Sequence, residues 1–150
     1  MDFEQPQEQK ILSQIHWVKP DIIVEMGEIE RVAKRFGKTF QEQKSIIIEI
    51  SQGVNRVELV DLTEDLWKSL ENTDSSGVSI GDYVRVHALA EKYNKDDKRL
   101  INQMNLGTDM QAPIITQYGN TLHLVSGNTR LMLARAAGQT PKVIIVPLTV

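Results

Sequence analysis

Five consecutive residues, Ser126-Gly127-Asn128-Thr129-Arg130, bring together one glycine, three short hydrogen-bonding side chains and an arginine. They sit between an apolar alternating stretch, Leu122 to Val125, and a helix-forming one, Leu131 to Ala137. A glycine at such a join can take a positive φ and lets another group come close to the backbone. The first turn of the helix that follows offers unpaired N–H groups with the positive end of its dipole behind them. Together these bind an anion, phosphate above all, without side-chain help. Arg130 adds a planar, permanently charged fork that matches phosphate oxygens; Ser126 and Thr129 add hydroxyl donors. The plainer reading is that strand, polar turn and helix follow one another in every α/β protein, and that Ser or Asn at a cap does nothing more.

Other candidates are single residues. His123 lies between Leu122 and Leu124, so alternation turns it to the other face of its strand, where it could serve as an acid or base. Asp96, Asp97 and Asp109 are candidates to hold Mg²⁺ beside a nucleotide, with Asp109 also a candidate catalytic residue; the plainer and better reading is that Asp96 and Asp97 are helix-start charges and Asp109 a turn residue. His16, His87 and His123 are far apart and show no metal-ligand spacing. There is no cysteine, hence no disulfide, thiolate metal site or thiol nucleophile. Residues 29–40 have the Ala-x-x-x-Gly look of a DNA-reading helix-turn-helix. Gln43, however, stands where that motif needs an apolar residue, and Glu42 and Glu49 would repel phosphates. A plain helical hairpin fits better.

The elements that would position these residues divide at a polar cluster of turn formers, Asn72 to Gly77. The spacing predicts helices over residues 11–15, ended by Lys19-Pro20, over 28–36 and from a Thr39–Glu42 capping box to Gly53. A short strand at 57–60 and a short helix at 63–70 complete a mainly helical first half, 1–76. The second half, 77–150, reads as helix 94–104, strand 113–116, a tight turn at Gly119-Asn120, strand 121–125, helix 131–137 and strand 142–147. Residues 82–93 allow a helix, from the Ser79–Asp82 capping pattern, or a strand, from the alternation at 83–86.

With 41% hydrophobic and 25% charged residues in 150, the chain has the composition of a globular protein. It contains no apolar run of the ~20 residues a membrane helix needs. The start, Met1 to Pro6, is acidic and polar, unlike a signal peptide, and a cytoplasmic protein is the simplest reading. Net charge is −3, distributed as −6 over residues 1–75 and +3 over 76–150. A mildly basic second half suits anion handling, and the acidic first half suits docking of a protein partner. Neither half has the dense basic stripe of a protein that grips duplex DNA by charge.

The order of segments Leu100–Met104, Ala112–Ile115, Leu122–Ala134 and Pro141–Pro147 resembles the ParB/sulfiredoxin superfamily. Its members have a Pro-hydrophobic strand, a hairpin strand ending in a Gly-x-x-Arg turn, a helix rich in small residues and a last strand. The resemblance spans about residues 83–148, with Val84–Leu89 similar to the family's opening strand. It implies an α+β fold: a mainly helical N-terminal half packed on a small ParB/sulfiredoxin-like domain with a mixed sheet. It also implies that Gly127 and Arg130, with Asn128 and Thr129 in the variable places, bind the phosphates of a nucleotide or of DNA. The cofactor expected is ATP or CTP with Mg²⁺, held through Asp97 or Asp109, and the function expected is phosphoryl transfer or phosphate hydrolysis with His123 as acid or base. The alternatives are a non-catalytic, nucleotide-switched binding module and a metal-dependent nuclease. Departures narrow the choice. Sulfiredoxins carry Cys and His inside the motif where Asn128 and Thr129 stand, which excludes that activity. Partition proteins carry paired arginines and a downstream helix-turn-helix, against Arg130-Leu131 and a chain given to Val150. Serine kinases place His after the glycine, where this chain has Asn128. Stand-alone members in phages and mobile elements are the nearest in organisation.

Overall fold

The computed structural model describes residues 9–149; the acidic start at Met1–Pro6 lies outside the described residues. The fold is α+β, with six α-helices, a mixed five-stranded sheet and a separate parallel pair of strands.

Most of the helices begin at a short polar side chain that accepts an otherwise unpaired N–H. Helix α1 (Ile22–Phe36) is capped by Asp21, whose carboxylate accepts from Ile23 N at 2.9 Å. Helix α2 (Phe40–Arg56) starts at Thr39, whose hydroxyl accepts from Glu42 N at 3.1 Å, while the Glu42 carboxylate reaches back to Lys38 N at 2.8 Å. The β-branched residues Ile46 and Ile50 fall on the buried face of α2, and Val54 extends that face past Gly53, so packing outweighs their lower helix propensity. Helix α3 (Glu64–Ser69) begins at Thr63, α4 (Tyr83–Lys92) at Asp82 and α5 (Asp97–Asn105) at Asp96. Helix α6 (Asn128–Ala136) begins at Gly127 and has no side-chain cap.

Three expectations are corrected here. Residues 83–92 are helix, so the strand that the resemblance placed at Val84–Leu89 is not there. The Asp82 cap and the buried set Tyr83, Val86 and Ala90 follow helical spacing, while Val84 is exposed. Residues 11–15 form no helix, because side chains take their backbone donors instead. Ile11 N donates to the Tyr83 hydroxyl, Leu12 N to Asn105 Oδ1 and Ile15 N to Gln139 Oε1, at 2.7–3.1 Å. The chain then forms β1 (His16–Val18), parallel to β4 (Asp109–Gln111). The strand expected at 57–60 is shifted to β2 (Val60–Asp61).

The main sheet runs β2, β7 (Lys142–Pro147), β5 (Ile114–Tyr118), β6 (Thr121–Ser126), β3 (Leu70–Glu71). Strands β5 and β6 form the expected hairpin. Helix α6 crosses over to place β7 parallel to β5, and β3 runs parallel to β6. Both edge strands, β2 and β3, therefore come from before residue 76, so the polar cluster at 72–77 joins parts of one sheet. Alternation sorts the core into two layers. Ile115, Leu122, Leu124 and Val143 face a cluster that includes Val86, Ile101, Met104 and Leu131. Ile114, Val125, Ile144 and Val146 face Ile29, Val32, Ile46, Ile50 and Val54 of the α1–α2 hairpin. The segment with the helix-turn-helix look is thus one cover of the sheet, with its apolar stripe buried. Gly53 allows the close approach of α2, since a Cβ there would stand 2.3 Å from Val146 Cγ1. Among the described residues no helix is long and apolar enough to cross a membrane.

Candidate functional site

Strand β6 ends at Ser126, and the chain turns through Gly127 at φ 101° and ψ 20°, the left-handed region. Only glycine fits. Beyond the backbone preference, a Cβ would stand 2.8 Å from Pro113 Cβ, so the turn is pressed against the start of β5. The first intrahelical bond of α6 runs from Leu131 N to the Gly127 carbonyl at 2.9 Å. The amides of Asn128, Thr129 and Arg130 precede it and receive no side-chain cap. The other five α-helices of the described residues are all capped by a side chain.

This turn forms one wall of a cavity of about 600 Å³. The cavity lies beyond the C-terminal ends of the parallel strands β3 and β6, the place where α/β sheets habitually bind ligands. Ser126, Gly127, Asn128, Thr129 and Arg130 all line it. Ser126 is 4% exposed and its hydroxyl has no hydrogen-bond partner. A buried polar atom left unpaired is costly in a native fold, and here it lies in a cavity-lining residue.

The structure adds residues that the sequence pattern did not single out. Asn72, Thr73 and Asp74 follow β3 along the cavity, with Tyr93 and Lys95 beyond α4 and Glu25, Glu28 and Arg31 on α1. Asn128 locks this rim. Its Oδ1 accepts from the Thr73 hydroxyl at 2.7 Å and from Asp74 N at 3.1 Å, and its Nδ2 donates to Asp74 Oδ2 at 3.2 Å. The side chain of Asn128 is therefore committed to the rim, while its backbone N–H receives no side-chain cap. The Tyr93 hydroxyl donates to the same Asp74 oxygen at 2.7 Å, which with partial burial raises its pKa. The only trace of this rim in the sequence was the polar cluster at 72–77, which reads as a linker because β3, two residues long, has no period to detect.

Arg130 is placed differently from expectation. A fork free for phosphate would stand open at the helix start, but the Arg130 side chain is only 14% exposed. Nη1 donates to the Gln111 carbonyl and Nη2 to Glu25 Oε1 at 2.8 Å. Arg130 thus joins α6, the end of β4 and α1 while still lining the cavity.

His123, Asp97 and Asp109 are not brought to the cavity. His123 faces the α1–α2 layer, 2% exposed, edge-on to Phe36 at 4.8 Å between ring centres, with neither ring nitrogen bonded. Desolvation, then nearby Arg35, lowers its pKa, and Glu71 partly offsets this. Asp97 is 4% exposed and held by His87 Nδ1 at 2.9 Å, joining α4 to α5. Asp109 pairs with His16 Nδ1 at 2.6 Å across the β1–β4 pair. Asp96 is a helix cap, accepting from Arg99 N at 3.0 Å. Neither Asp97 nor Asp109 fits the role of holding Mg²⁺ beside Arg130. Among the described residues no three His, Cys, Asp or Glu side chains are grouped to hold a metal ion.

Comparison with family models, with curated proteins and with solved structures finds no match to this chain.

Proposed function

We propose that the cavity at the end of β6 binds the phosphate of a nucleotide or a nucleotide-derived ligand, with ATP and CTP the first candidates. The observation that carries this reading is the uncapped start of α6 behind a left-handed Gly127, beside the buried, unpartnered hydroxyl of Ser126. Amides of Asn128, Thr129 and Arg130 would take the phosphate oxygens, the helix dipole would favour the charge, and Ser126 would donate its hydroxyl. Volume supports a ligand larger than phosphate: about 600 Å³ lies within the range of small-molecule and cofactor sites. Tyr93 and Leu100 supply a partly apolar wall. The likeness to the ParB/sulfiredoxin superfamily points the same way through Gly127 and Arg130.

Within this reading a nucleotide-switched binding module in the cytoplasm is favoured over a phosphotransferase, hydrolase or nuclease. His123 and Asp109, the residues expected to do chemistry, lie away from the phosphate position. Asp74, hydrogen-bonded by Tyr93 and Asn128, is the carboxylate oriented at the cavity rim. A partner protein docking on the acidic N-terminal half belongs to the same proposal, because α1, part of that half, forms a cavity wall and would sense what fills it.

Nucleotides and inorganic tripolyphosphate should raise the melting temperature. A ligand at 100 times its Kd adds about 2.7 kcal/mol. Arg130→Ala should weaken binding by about one to two orders of magnitude, the worth of a charged hydrogen bond. Arg130→Lys should not restore it, because the fork is lost. Arg130 is also buried against Glu25, so both variants should melt earlier, Arg130→Ala by roughly 3 kcal/mol. Affinity must therefore be measured on the folded fraction. Unchanged affinity per folded molecule would remove the phosphate reading.

A further inference from the structure

The fork of Arg130 is already occupied. Glu25 Oε1 lies 2.8 Å from Nη2, and the two side chains are 9% and 14% exposed. A carboxylate presents to a guanidinium the same kind of paired, negatively charged oxygens as a phosphate does. Glu25 also stands in the first turn of α1, where the dipole of that helix supports its charge, and it lines the same cavity as Ser126 and Gly127. A phosphate at the start of α6 would meet this carboxylate across a single guanidinium, and two anions cannot share one fork without mutual repulsion.

We propose that Glu25 is an internal competitor for Arg130: the carboxylate closes the phosphate site when it is empty and must leave the guanidinium when an anion binds. The inference rests on the phosphate reading above. The exit does not require α1 to leave the sheet. Ile29, Val32 and Ala33 hold α1 in the core, whereas in its first turn Ile23 and Val24 point to solvent. Rotation of the Glu25 side chain alone frees Nη2, while Nη1 stays anchored on the Gln111 carbonyl. Binding then reports directly on α1: an occupied site has a detached Glu25 at the start of the helix that covers one face of the sheet. Competition of this kind lowers apparent affinity by the fraction of molecules in which the fork is open.

The test uses the full chain and inorganic tripolyphosphate, titrated calorimetrically at fixed ionic strength. Glu25→Gln keeps the shape and one acceptor oxygen but removes the charge. It should bind about ten- to a hundredfold more tightly than the wild type, the factor released when a charged hydrogen bond no longer has to be broken. Arg130→Ala and the double variant should both bind weakly. Glu28→Gln removes the same charge from the same wall without touching Arg130, and should gain far less. Equal gains at positions 25 and 28 would reduce the effect to net charge and overturn competition. Unchanged or weaker binding by Glu25→Gln, with Arg130→Ala still impaired, would make Glu25 a positioning residue and leave the phosphate site standing. Full binding by Arg130→Ala would remove the site itself. Should Glu25→Gln not fold, wild-type protein decides through the ¹³C signal of the Glu25 carboxyl. It should shift as tripolyphosphate saturates the Arg130 side-chain N–H signals, and a stationary signal at saturation would refute the exchange.

Discussion

Two histidines illustrate how surroundings, rather than residue type, decide what a side chain does. His123 has two nitrogens that make no hydrogen bond and a ring packed against Phe36. Burial, then Arg35, depresses its pKa below the unfolded value, with Glu71 opposing. Protonation therefore favours unfolding, and stability should fall as pH drops below the ordinary imidazole value of about 6.5. His87 is the reverse case. Its bond to Asp97, then the Asp97 charge, raises its pKa, with Glu91 adding and Lys98 and desolvation opposing. That contribution is complete below about pH 6.5 and is lost as pH rises through the raised value. Melting temperatures between pH 5 and 9 should separate the two. His123→Leu should remove acid sensitivity at little or no cost, since it replaces an unpaired polar ring by an apolar side chain. His87→Gln should flatten the fall on the alkaline side. A large loss of stability in His123→Leu would mean that the ring has a partner after all.

At the level of elements, the approach of α2 to β7 sets the thickness of one layer. Alanine is favoured over glycine in a helix by about 1 kcal/mol. At Gly53, however, the added Cβ would stand 2.3 Å from Cγ1 and 3.0 Å from Cγ2 of Val146, on a stiff β-branched side chain in a central strand. Overpacking costs of about 1–3 kcal/mol are expected, so Gly53→Ala should lower stability despite its better propensity. Chemical denaturation of the pair checks the sign; a more stable Gly53→Ala would show that the layer can give. Helix α6 follows the same principle at its other kind of glycine. Gly127 is fixed by positive φ and by Pro113 whether or not a ligand binds, so its replacement cannot serve as a test of function.

For the whole molecule, the division at residue 76 has a physical consequence. Residues 78–150 retain β5, β6 and β7 but lose both edge strands, the α1–α2 cover and Trp67 of the other layer. A fragment of ~70 residues has a marginal core in any case. This one would also expose Ile114, Val125, Ile144 and Val146 to water, along with two open edges that invite pairing with other chains. The isolated 78–150 segment should therefore be poorly soluble or lack a well-dispersed NMR spectrum. A dispersed spectrum would make the first half an appendage rather than half of the fold.

Periodicity and caps by themselves determined α2, α3, the β5–β6 hairpin, the last strand, the Gly127–Arg130 turn and α1 from residue 28 onward, though not its start at Ile22 behind the Asp21 cap, because each is specified by residues close together in the chain. Apolar spacing over three turns, Thr39 with Glu42, and Gly119-Asn120 between alternating strands carry that information locally. Only the tertiary structure decided the rest. Strands of two or three residues, β1 to β4, have no period and exist because a neighbouring strand supplies their hydrogen bonds. Residues 11–15 have helical spacing but give their donors to Tyr83, Asn105 and Gln139, from 72 to 124 positions away. His123, Asp97 and Asp109 were candidates by type alone, and the fold gave each a neighbour outside the cavity. Glu25, 105 residues from Arg130, became its partner through tertiary packing that no local pattern encodes. The Gly127–Arg130 turn was legible because its residues are adjacent in the chain. The rim at Asn72–Asp74 and Glu25 were not, because they meet the turn only when the sheet is assembled.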